Sequence, residues 1–69
     1  MTSKPNVVLT SLTRLDPRSG EQEWVNFAAN GPIVTVSRWF ESGLSWEVED
    51  TREDARGFYR ELWADGYRP

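Results

Sequence analysis

The chain has 69 residues, eight basic and eleven acidic side chains for a net charge of −3, and neither cysteine nor histidine. One domain fits in that length. Without Cys there is no disulfide and no thiolate chemistry, and without His the commonest metal ligand and the commonest general base are both missing.

The acidic balance argues against a general binder of phosphate backbones, whose footprint is basic. No apolar run approaches the ~20 residues of a membrane span. Met1 to Asn6 is short and polar and has no signal-peptide core, so it reads as a frayed lead-in to residues 7–69. With no Cys to protect, a cytoplasmic location is the expectation. Four Trp, two Tyr and three Phe fit a small chain that fills its interior with rings, each worth roughly 150–250 Å² of burial.

In chain order, Val7 to Leu15 is rich in Val, Leu and Thr and reads as a strand. Asp16-Pro17-Arg18-Ser19-Gly20 is turn chemistry, with Pro presetting φ and Gly free to take φ > 0. Gln22 to Ala29 is a second strand. Asn30-Gly31 is a type I′ hairpin signal, and Pro32 opens a third strand that runs to Phe40. Glu41-Ser42-Gly43 turns the chain into a fourth strand, Leu44 to Glu49. A two-residue Asn30-Gly31 loop sets Ala29 opposite Pro32, Phe27 opposite Val34, Val25 opposite Val36 and Trp24 opposite Ser37. If Phe40 then faces Leu44, Val36 faces Val48 and Arg38 faces Trp46.

One face thereby collects Val25, Phe27, Val34, Val36, Leu44, Trp46 and Val48. Arg38 faces Glu23 on it, and a salt bridge at the rim is expected. The helix follows over 51–65. Thr51 and Asp54 stand at capping-box spacing, and Glu53 and Asp54 complement the dipole. Ala55, Phe58, Tyr59, Leu62 and Trp63 form one stripe. Gly66 fits a C′ position, with Tyr67 folding back on Leu62.

One helix covers one side of a sheet. The other side carries Trp24, Asn26, Ala28, Ile33, Thr35, Ser37, Trp39, Ser45, Glu47 and Glu49. Uncovered, clustered aromatic rings are enriched at interfaces. Trp24, Trp39, Ile33 and Thr35 are therefore the candidate partner-binding residues. A second candidate is the helix edge of Arg52, Arg56 and Arg60, four residues apart and bordered by Tyr59 and Trp63, since arginine forks bind carboxylates or phosphates and stack on rings. Pairing of Arg56 with Glu53 would make that edge an ordinary solvated one.

Glu47, Glu49, Asp50, Glu53 and Asp54 lack the spacing of a calcium loop. No catalytic residue, metal, cofactor or small-molecule pocket is expected. The segment holding Arg38-Trp39, a strand, a capped helix and Gly66-Tyr67 is similar to WGR domains, sheet-plus-helix modules associated with nucleic acid. The Trp-Gly-Arg triplet is absent, since Phe40 and Glu41 follow Trp39. The Trp-rich sheet, late helix and ending from Trp63 to Pro69 resemble MbtH-like proteins, whose motif order differs. No functional residue carries over from either.

The expectation is an α+β domain, a four-stranded antiparallel β-meander with one C-terminal α-helix packed on one face. It is read as a non-enzymatic interaction module that binds a protein or a second copy through the outer sheet face. The alternative is nucleic-acid binding by the arginine edge.

Overall fold

A computed structural model describes residues 7–69, so the expected lead-in over 1–6 lies outside the described residues. Four antiparallel strands, β1 (Val7–Leu15), β2 (Gln22–Asn30), β3 (Ile33–Phe40) and β4 (Gly43–Thr51), lie in the order β1-β2-β3-β4, and α1 (Arg52–Ala64) follows at once. This is the expected α+β meander with its helix on one face.

The hairpin between β2 and β3 corrects the sequence register. Asn30 pairs with Ile33 and Ala29 with Val34, so Gly31 and Pro32 are the two loop residues. A type I′ turn needs φ > 0 at both, and Pro32 forbids it at the second. Gly31 supplies the single positive φ, 64°, the glycine-first pattern of a type II′ turn. The pairing moves by two residues: Phe27 now faces Val36, Val25 faces Arg38 and Trp24 faces Trp39. Because strand side chains alternate with period two, the faces survive the shift.

A second correction falls on Leu44. From Val36 opposite Val48 to Arg38 opposite Trp46 the expected pairing holds, and then an irregularity resets it. Trp39 pairs with Leu44 and Phe40 with Gly43. The extra residue carries Leu44 from the inner face to the outer one.

The core lies between the inner face and α1 and holds Leu12, Val25, Phe27, Val34, Val36, Ala55, Leu62 and Tyr67, with Trp46, Phe58 and Tyr59 packed against it. Phe27 meets Tyr59 edge-on at 5.6 Å, and Phe58 lies 6.0 Å from Trp46, within the range of favourable ring pairs. The cap forms as read, the Thr51 hydroxyl accepting from the Asp54 N–H at 3.2 Å. At the other end the Gly66 N–H donates to the Trp63 carbonyl and the Tyr67 N–H to that of Leu62, the two bonds of a Schellman motif. That reversal sends Tyr67 back into the core and lays Arg68 beside β1, where its N–H and C=O both bond Thr13.

Candidate functional site

The end of the sheet formed by the close of β1, the start of β2 and the close of β3 is fixed by a buried carboxylate. Glu23 points inward from β2 and is fully buried. The Arg38 Nε donates to its Oε2 at 2.6 Å, the Arg14 Nε donates to its Oε1 at 3.2 Å, and the Tyr67 hydroxyl also donates to Oε2. The expected Arg38–Glu23 bridge is present, but it is no rim contact: the carboxylate sits under two guanidinium groups and a phenol. Removing one partner of such a buried pair costs on the order of 3–5 kcal/mol.

Burial pushes the Tyr67 hydroxyl up to about 12, and the hydrogen bond to Glu23 and the charge of Glu23 add to the rise, against opposing pulls from Arg38 and Arg14. Burial alone would lower the Arg14 pKa, but the bond to Glu23 and the charges of Tyr67, Glu23 and Asp65 raise it overall.

This cluster has a consequence on the other side of the strand. With Glu23 locked inward, Trp24 must point outward, because neighbours in a strand take opposite faces. A one-residue slip would expose Glu23 and drive Trp24 into the core.

On the outer face the structure brings Trp24 and Trp39 together more closely than the sequence register did, as direct cross-strand partners. The row extends to Thr13 on one side and Leu44 on the other. The Trp39 Nε1 donates to the Ser37 hydroxyl at 3.0 Å, which fixes that ring, while the Trp24 indole N–H has no partner among the described residues. Leu15, opposite Gln22 and diagonal to Trp24, is 64% exposed, Leu44 50% and Trp24 36%. Three of the five exposed large apolar side chains among the described residues thus lie at one end of one face, Trp24 and Leu44 flanking Trp39 and Leu15 diagonal to Trp24. An adjoining polar row, Ser11, Asn26, Ser37 and Glu47, is internally bonded where the Ser11 hydroxyl donates to Asn26 at 2.7 Å.

Ile33 and Thr35 share this face but not this cluster. Ile33 is six residues from Trp39 along β3, roughly 20 Å at strand rise, and pairs with Thr51 at the far end. Leu15 and Leu44 were missed. The alternation over β1 gave the signal for Leu15, whereas Leu44 depends on an irregularity that no residue type announces.

The arginine edge is divided. Arg52 turns away to donate two bonds to the Gly31 carbonyl, at 3.1 and 2.9 Å. Arg56 and Arg60 make no hydrogen bond or ion pair among the described residues, so the Arg56–Glu53 pair does not form. The Trp63 ring carries the Arg68 guanidinium 4.1 Å above its centre. Among the described residues no group of three or more acidic side chains is placed to hold a metal ion, and no helix is long and apolar enough to cross a membrane.

Comparison with protein-family models, curated proteins and solved structures finds no match to this chain. The likeness to WGR domains and MbtH-like proteins accordingly carries no argument here.

Proposed function

We propose that this chain is a non-enzymatic interaction module whose contact surface is the outer sheet face, centred on the Trp24–Trp39 pair and completed by Leu15 and Leu44. The observation that supports it is the clustering of exposed apolar side chains at one end of the face turned away from α1. Central aromatic anchors ringed by polar side chains are the usual anatomy of an interface. The face is also held rigid, by Glu23 beneath it and by the Trp39–Ser37 bond, which lowers the ordering cost of binding.

The occupant is another protein or a second copy of this chain. Replacing both rings by Ser should abolish that association while the circular dichroism spectrum of the fold is retained. Association that survives the double replacement would remove the basis for this reading. Of the arginine edge, the nucleic-acid alternative keeps only Arg56 and Arg60 uncommitted among the described residues, in an acidic chain. It is separable by salt, since phosphate binding weakens steeply as salt rises and apolar contact does not.

A further inference from the structure

We infer that the free edge of β4 takes up an extended, basic segment of another protein as a fifth strand, at a site separate from the tryptophan pair. The two edges of the sheet are unlike. The β1 edge is partly closed by Arg68, bonded both ways to Thr13. Along β4, nine residues without Pro, Lys or Arg, no described segment pairs with the outer side. An open edge presents a row of unpaired N–H and C=O groups, a template for another strand.

The side chains of β4 say which strand. Its inner row holds Trp46, whose ring lies against Phe58 of α1, and Val48, which is 46% exposed. Between this row and the helix lies an open concavity of about 380 Å³ lined by Trp46, Val48, Phe58 and Asp50. An added strand would set every second side chain over that concavity. Its remaining side chains would stand beside Glu47 and Glu49, both exposed on the outer row.

The complement is a segment alternating apolar residues with Lys or Arg. A second copy of β4 is a poor occupant. Pairing it antiparallel about Val48 would set Glu47 against Glu49 of the other copy, and like charges directly opposite destabilise a sheet. Acidic residues on an edge thus refuse self-pairing and favour a basic partner.

The test uses the full chain and a synthetic peptide of about nine residues alternating Val and Lys, followed by NMR. Binding should slow exchange of the β4 amides that point away from β3 and shift Trp46 and Val48, leaving Trp24 and Trp39 unmoved. Glu47→Lys with Glu49→Lys, a change at two exposed positions, should weaken binding by roughly tenfold or more and favour the matching Val/Glu peptide.

Three outcomes would overturn the inference. One is equal binding of a peptide of the same composition with Val and Lys in separate blocks, which would mean charge alone. Another is a charge-reversed chain that binds the basic peptide as before. The last is β4 amides already protected in a concentrated solution of the chain alone, which would mean that a second copy holds the edge.

Discussion

The Tyr67 hydroxyl, delivered from beyond the helix by the Schellman reversal at Gly66, donates a hydrogen bond to the buried Glu23 carboxylate at the start of β2. The penultimate turn of the chain is thereby tied to the strand that positions Trp24. Tyr67→Phe keeps the ring in the core and removes only that donor. A hydrogen bond to a charged group is worth about 1.5–3 kcal/mol, so urea unfolding should show a loss of that order. No change in the midpoint would mean that the two arginines suffice for Glu23.

The same bond sets an alkaline limit on stability. Tyr67 titrates near 10 in the unfolded chain and is pushed up to about 12 in the folded one, by burial first and by Glu23 second. Between these values the folded chain binds more protons than the unfolded chain, so stability falls as pH rises. The contribution is complete below about pH 10 and is gone once pH has passed through about 12. Urea midpoints measured across that window should decline, and the Tyr67→Phe chain should lack this part of the decline. Identical slopes in both chains would show that Tyr67 is not the group responsible.

Leu62 is the most deeply seated side chain of α1 apart from Ala55, at 5% exposure against the inner face. Leu62→Ala should cost about 2–5 kcal/mol. For a domain of this size that is a large part of the total stability. A thermal midpoint that hardly moves would mean that α1 is not docked on the sheet as described.

Gly31 holds φ at 64° beside Pro32, with open space where a Cβ would stand. The obstacle to substitution is thus backbone strain and not crowding. Gly31→Val should destabilise by about 1–3 kcal/mol, since a β-branched residue resists φ > 0. Gly31→Asn should cost less, since Asn tolerates the left-handed region better. Equal losses in the two variants, compared by urea unfolding, would refute the strain argument.

Much of this arrangement is legible in the sequence because strand parity is robust. The hairpin pairing that the sequence predicts lies two residues out, yet Val25, Phe27, Val34 and Val36 stay on the inner face and Trp24 and Trp39 on the outer one. An error by an even number of residues does not change faces. Two features resisted reading, one because it depends on contacts between distant parts of the chain and the other because a local irregularity sets it. The Glu23 cluster joins β1, β2, β3 and the C-terminal turn. A carboxylate near the end of a strand looks solvent-exposed until those partners are placed. Leu44 changes face through the irregularity beside Trp39, which leaves no mark in the pattern of Leu44 to Val48.

The contact role of the outer face is tested most directly by one capture experiment with three folded baits in extract of the source cell, to which a distinguishable copy of the chain is added. The baits are the unaltered chain, Trp24→Ser with Trp39→Ser, and Arg56→Glu with Arg60→Glu. The expected result is that proteins, or the added copy, held by the unaltered chain are lost from the tryptophan variant and retained by the arginine variant. Retention by the tryptophan variant together with loss from the arginine variant would contradict the outer-face reading and move the contact to the helix edge.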